Sequence, residues 1–260
     1  MNNILILLDG AMGAELNNKI ITTELPLWTA DANIMHSDLI QSTHNEYICA
    51  GADITTTNTF RNTSWTYKRA GYTDKESKMR AKRSLSSAVK CAQNASKGIV
   101  QTAGSITTLY NLESFPGRKI ALDIYSQTLD WLINSGVDII LLETMGNLEE
   151  IKVALSLSYD YQKSICLSII IKDSKKILDR ANLVDIPSLA KQYSVQTSLF
   201  NFNDVSKTIL FIKDIHHFWD WMWGLYPNLG VEDYSNDYFN IINNTIPIMK
   251  IPHPISDSIN

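Results

Sequence analysis

The chain's 260 residues fit one large α/β domain, and a hydrophobic content of 45% allows it a sizeable core. Its net charge is only −4, with no lysine- or arginine-rich run, which argues against a nucleic-acid partner. The three cysteines, Cys49, Cys91 and Cys166, are scattered and form no Cys-x-x-Cys, so neither a disulfide framework nor a zinc knuckle is expected, and a reducing cytoplasm is the default setting.

The first apolar run, Ile4–Leu8, ends at Asp9. It is too short for a membrane span or a signal-peptide core and reads as a buried strand. Ser37–Ala50 follows as a helix with Leu39, Ile40, Tyr47 and Ile48 on one face and Gly51 as its stop. Asp53–Thr57 is the second strand, Asp74–Ser96 a long helix and Ile99–Ala103 the third strand. In Arg118–Ser135 the residues Ala121, Tyr125, Thr128, Leu129 and Leu132 share a face, and Gly136 closes the helix. Strands at Val137–Leu142, Ile165–Ile171, Val195–Phe202, Met222–Tyr226 and Ile246–Ile251 then alternate with helices at Leu148–Tyr161, Ile186–Tyr193, Val205–His217 and Asp233–Asn243. Eight strands interleaved with helices predict a parallel sheet closed into a (β/α)8 TIM-like barrel, its last βα unit shortened. A doubly wound open sheet is the alternative. Without repeats or a Pro/Gly-rich linker, residues 1–260 read as a single domain. Trp219, Trp221 and Trp223 crowd one short stretch. They read as filling of a barrel wall or as a subunit interface, which makes a homodimer an option, before they read as a ring-stacking binding surface.

In a barrel of this kind the working residues sit at the carboxyl ends of the strands. Polar residues collect there: Asp9 and Gly10 after the first strand, Thr55–Thr59 with Asn58 after the second, Glu143 and Thr144 after the fourth, Asn203 and Asp204 after the sixth. Asp9 and Glu143 each end an apolar run, so each is expected to be partly desolvated, and a carboxylate there needs a cation or several donors. A bound ammonium group would meet that need; capping of a helix amino-terminus is the plainer alternative. Gly10 and Gly13 allow close backbone approach. Asn58 offers an amide at a strand end. His44 lies mid-helix and reads as packing on the sheet before it reads as a base. Asp204 reads as a cap for the helix at Val205, or as an acid or base.

Several strings together are specific. They are Leu7-Leu8-Asp9-Gly10-Ala11-Met12-Gly13-Ala14-Glu15-Leu16, Leu27-Trp28-Thr29-Ala30, His44 with Tyr47, and Ala50-Gly51-Ala52-Asp53-Ile54-Thr55-Thr56-Thr57-Asn58-Thr59-Phe60. Later come Gly104-Ser105-Ile106, Ser135 through Thr144, and Tyr226-Pro227-Asn228-Leu229-Gly230. In this order they closely resemble the homocysteine S-methyltransferase family, strongly over residues 4–160 and more thinly to about residue 235. The resemblance implies a barrel that binds homocysteine and moves a methyl group onto its sulfur. It also implies that Asp9 and Gly10 contact the substrate and that Glu143 holds its amino group.

The same resemblance implies a zinc ion held by three cysteine thiolates, which keeps the substrate thiol ionised. One such cysteine follows an Asn at the end of strand 6, where this chain has Asn203-Asp204; the other two lie at the end of strand 8, where it has Ile248-Met249-Lys250-Ile251-Pro252-His253-Pro254. No cysteine lies beyond Cys166. Asp204, His253 and Asp257 are the side chains of suitable type for a replacement metal site, though no spacing requires one. No metal ligand is therefore assigned, and no folate, cobalamin or adenosylmethionine motif is recognisable. Two readings follow: a homocysteine S-methyltransferase, or a catalytically inactive homologue that binds an amino acid of the homocysteine or methionine kind.

Overall fold

The computed structural model describes residues 5–19, 25–109, 115–201, 211, 215, 219–226 and 249–250. Its central sheet is parallel and runs in chain order: β2 (Ile54–Thr56), β3 (Gln101–Thr107), β4 (Ile139–Met145), β5 (Ser164–Asp173), β7 (Thr197–Asn201) and β8 (Trp223–Leu225). The segment after β1 (Leu5–Ile6) joins in front of β2, through a parallel bridge from Leu8 to Ile54. Along this path each strand pairs with the one that follows it and the order never reverses, which is the topology of a barrel and excludes the doubly wound alternative.

The end of the barrel departs from expectation. Ile246–Ile251 was expected as an eighth parallel strand; the described part is β9 (Met249–Lys250), which pairs antiparallel with β1, Leu5 opposite Lys250. A short hairpin strand, β6 (Lys176–Ile177), also folds back on β5 where no strand is expected. Asp173 accepts from the backbone N–H of Lys175 and Lys176 at 2.9 Å each, so the turn is set by one carboxylate. The helices expected at Val205–His217 and Asp233–Asn243 lie outside the described residues, apart from the helical Phe211 and Ile215.

Helices cover the outside. α1 (Met12–Asn18), α2 (Ala32–Met35) and α4 (Ser64–Arg69) are short and were not foreseen. α5 (Asp74–Ser96) begins in a capping box, with the Thr73 hydroxyl receiving the Glu76 N–H and the Glu76 carboxylate receiving the Thr73 N–H. α6 (Arg118–Asn134) buries the expected face of Ala121, Tyr125, Thr128, Leu129 and Leu132. α3 (Ser37–Cys49) is rotated from expectation: Ile40, Thr43 and His44 are its buried residues. α7 (Leu148–Tyr159) and α8 (Ile186–Gln192) complete the described ring.

Period-two alternation divides the strand residues between two cores. Ile140, Leu142, Ile165, Leu167, Ile169 and Phe200 face outward into the layer under the helices. Ile54, Ala103, Ile139, Leu141, Cys166 and Leu199 fill the barrel itself. Trp219 and Trp223 are buried in the outer layer, with Trp219 edge-on to Phe200 at 4.9 Å, so the aromatic crowd is spent on the wall.

One carboxylate anchors the loop that follows β3. Glu150, in the first turn of α7, is fully buried. It accepts from the Thr108 hydroxyl at 2.5 Å, the Tyr125 hydroxyl at 2.6 Å and the Leu109 N–H. Replacing it by alanine removes an acceptor shared by three donors and leaves a gap in a buried layer. Glu150→Ala is expected to lower the unfolding free energy by about 3 kcal/mol or more in urea titrations.

A carboxylate pocket at the barrel mouth

Asp9, Thr56, Glu143 and Thr144 from the strand ends meet Trp28, Phe60, Met12 and Tyr226 around one cavity. About 680 Å³ of non-atom space lies between them when the open solvent at the mouth is counted. Among the described residues that line it none is cationic.

The position of Asp9 follows from the pairing of the segment after β1 with β2. The Asp9 N–H donates to the Ile54 carbonyl at 3.0 Å, which sets its carboxylate over the end of β2. There Oδ2 accepts from the Thr56 N–H at 2.8 Å and the Thr55 hydroxyl at 3.1 Å. His44 Nδ1 lies 3.6 Å from the same oxygen. Asp9 is 3% exposed, and its other oxygen, Oδ1, is buried with no partner among the described residues. The buried hydroxyl of Thr56 is likewise without one.

Glu143 owes its position to a fault in β4. Ile139, Leu141 and Glu143 point inward by alternation. The register against β5 then shifts between Leu142 and Met145, and Thr144 takes a left-handed backbone with φ 57°. A bulge of this kind re-aims side chains. It sends Met145 outward into the helix layer while Thr144 lines the pocket beside Glu143. The left-handed region is costly for a β-branched residue. The Thr144 hydroxyl donates to the Glu143 carbonyl at 2.7 Å, and the Thr144 N–H donates to the Ser168 hydroxyl at 3.3 Å. Glu143 itself accepts from the Ser105 hydroxyl. Burial pushes its carboxyl up to about 7; Ser105 opposes that rise and the negative charge of Asp9 adds to it. The two carboxylates thus feel each other across the cavity.

The expected residues are sorted differently by the geometry. Asp9, Gly10, Asn58 and Glu143 all line the cavity. Both amide protons of Asn58 are used, on the Thr29 carbonyl at 3.2 Å and on Asn33 Oδ1 at 2.7 Å. Its Oδ1 receives the Thr29 hydroxyl at 2.8 Å, so the side chain ties the Trp28–Asn33 segment to β2. Asp204 lies outside the described residues, as do His253 and Asp257. Sequence reasoning did not give Trp28, Phe60, Ser105 or Ser168 a place in the site. Inward alternation from Glu143 across β3 and β5 would have found the two serines; the edge-on contact of Trp28 and Phe60 at 5.8 Å had no local signal.

A family model described as homocysteine S-methyltransferase matches residues 6–247. The chain belongs to the homocysteine S-methyltransferase family. Homocysteine S-methyltransferase of Escherichia coli (strain K12) is 25% identical over 243 residues, covering 87% of this chain and 78% of that protein. Homocysteine S-methyltransferase YbgG of Bacillus subtilis (strain 168) is also 25% identical, over 71% of this chain and 64% of its own length. Among solved structures, homocysteine methyltransferase MmuM from Escherichia coli in its metallated form superposes with a TM-score of 0.79 at 23% identity, covering 86% of this chain and 84% of that one. The likeness establishes the TIM-barrel fold.

The family's zinc does not fit the cysteines present. Cys49 is exposed at the end of α3, and Cys91 is buried on α5 against the Ser37 carbonyl at 3.4 Å. Cys166 sits in the apolar barrel interior, where burial pushes its thiol up to about 12. None of the three lines the pocket, and among the described residues no group of three His, Cys, Asp or Glu could hold a metal. All three cysteines are free. Among the described residues no helix is long and apolar enough to cross a membrane.

The pocket floor depends on two glycines. A Cβ on Gly10 would fall within the Tyr47 ring, and one on Gly13 within the Trp28 ring. Gly10→Ala must displace Tyr47 or the Asp9–Gly10 backbone. It is expected to cost about 1–3 kcal/mol in denaturant titrations and to weaken ligand binding as well.

Proposed function

We propose that the barrel mouth binds the ammonium group of a small sulfur amino acid, homocysteine or a methionine-like analogue, between Asp9 and Glu143. The reading is supported by two acidic side chains lining one cavity, by the buried Oδ1 of Asp9 with no partner among the described residues, and by the absence of any cation among the described lining residues. A buried carboxylate oxygen left bare is costly unless a ligand meets it. An ammonium group supplies charge and three donors to satisfy Asp9, Glu143 and the Thr56 hydroxyl together. Trp28, Phe60 and Met12 give the apolar wall for an aliphatic thiol or thioether. Gly10 serves through close backbone approach, and Asn58 serves by holding the Trp28 segment.

The family's reaction is methyl transfer to the homocysteine sulfur. The sulfur–carbon bond forms, the bond between the methyl group and its donor breaks, and the thiol proton must leave. A free thiol is only a few per cent ionised at neutral pH, at a pKa of about 8.5. Asp204 is the proposed acceptor for that proton, on its place in the sequence alone. The cysteine inventory favours a second reading, an amino-acid-binding homologue without turnover, because no set of thiolates is available to ionise the substrate. The free cysteines accord with a cytoplasmic setting.

Calorimetric titration with reduced L-homocysteine tests binding. Asp9→Asn and Glu143→Gln are each expected to weaken it by about tenfold or more. Glu143 must be ionised to take an ammonium group, and in the free protein its carboxyl titrates at about 7. Affinity is therefore expected to rise with pH from about 5.5 to 7.5, by up to tenfold per unit below 7, and Glu143→Gln is expected to flatten the profile. Binding that does not change over this window removes Glu143 from the site. Methionine formation from homocysteine and a sulfonium methyl donor then separates the two readings: turnover supports the enzyme, and tight binding without turnover supports the inactive homologue.

Metal content gives an independent check. Protein purified with homocysteine present is expected to carry well under one zinc per chain, and a chelator is expected to leave homocysteine affinity unchanged. Stoichiometric zinc lost together with affinity would mean that oxygen and nitrogen ligands have rebuilt the metal site.

A further inference from the structure

We propose that His44 is a positioning residue: acting through Thr55, it fixes the Asp9 carboxylate so that Oδ1 alone is presented to the ligand. The inference rests on the reading of Asp9 as an ammonium-binding residue.

A count of protons sets the direction of these bonds. Thr55 has one hydroxyl proton and two acceptors in reach, Asp9 Oδ2 at 3.1 Å and His44 Nδ1 at 2.8 Å. A carboxylate oxygen is the stronger acceptor, and leaving it beside a bare hydroxyl oxygen would set two negative atoms against each other. Thr55 therefore donates to Asp9. His44 Nδ1 must then carry a proton and donate it to the Thr55 oxygen, which fixes the imidazole tautomer. The chain of donors runs one way, from His44 to Thr55 to Asp9 Oδ2.

Every donor reaching Asp9 goes to the same oxygen. Oδ2 takes the Thr55 hydroxyl and the Thr56 N–H, while Oδ1 takes nothing among the described residues. Rotating the carboxylate would break both bonds, so Oδ1 is held as the oxygen that receives no donor among the described residues. His44 is fully buried, and its Nε2 has no partner among the described residues. Its one polar contact is with the Thr55–Asp9 pair. A histidine chosen for packing alone would carry the cost of a buried, unpaired ring nitrogen for no return. Here the ring delivers a donor to a site that α3 reaches only from behind β2.

The test is titration of reduced L-homocysteine into wild type and four variants, with the melting temperature of each. Thr55→Val keeps the side-chain volume and removes the hydroxyl, and His44→Leu removes the donor. Both are expected to weaken binding by about tenfold or more. Thr55→Ser keeps the hydroxyl, and His44→Asn places an amide N–H where Nδ1–H stood. Both are expected to stay within about threefold of wild type, even though His44→Asn leaves a cavity and melts lower. Thr55→Val binding as tightly as wild type overturns the proposal. So does affinity that follows melting temperature across the four variants, since that is the pattern of a purely structural histidine. If Asp9→Asn weakens binding while Thr55→Val does not, this inference alone falls. If folded wild type binds no homocysteine, the amino-acid reading falls and takes this one with it.

Discussion

Two carboxylates held at the mouth of one cavity are the constraint from which the site follows. Neither can relax into water. Asp9 is locked by the end of β2, and Glu143 is held by a bulge and a serine. Burial and mutual repulsion keep one of them reluctant to ionise, and no described residue lining the pocket is cationic. A site arranged in this way spends folding energy to stay receptive to a positive group. The outer supports follow the same logic: Asn58 ties the Trp28 segment to β2, and Gly10 and Gly13 let two rings approach the backbone.

Much of the fold was legible because two periods alternate cleanly along the chain. The face of α6 and the bounds of α5 are readable from apolar spacing and from the Thr73–Glu76 pair, and the structure agrees with both. The strand ends were less legible. β4 runs on to Met145, because the bulge at Thr144 continues the pairing past the polar residues that seemed to end it. α3 turns Thr43 and His44 inward although both are polar, since Thr43 meets the Lys19 ammonium and the Leu39 carbonyl and His44 meets Thr55 of β2. No propensity encodes that; it depends on Asp9 arriving from another strand. Asp9 and Glu143 could be found from position alone, as acids that end apolar runs. Ser105, Ser168 and Trp28 required the register between strands.

The missing thiolates separate the ligand pocket from the chemistry. Recognition of an amino group by charge, as proposed for Asp9 and Glu143, needs no metal. Ionising a thiol is a different task, one that two nearby negative groups hinder. The side chains proposed to recognise an amino acid lie together in the described structure, while none of the three cysteines lines their pocket.

The direction of β9 adds a consequence. β1 runs toward the mouth and reaches Asp9 there, so β9, antiparallel to it, runs away from the mouth, with Met249 nearer the pocket than Lys250. In a barrel whose last strand is parallel, the residues that end that strand arrive at the ligand. Here the carboxyl end of the strand points to the opposite rim. The difference is one of chain polarity, and no exchange of side chains along β9 reverses it.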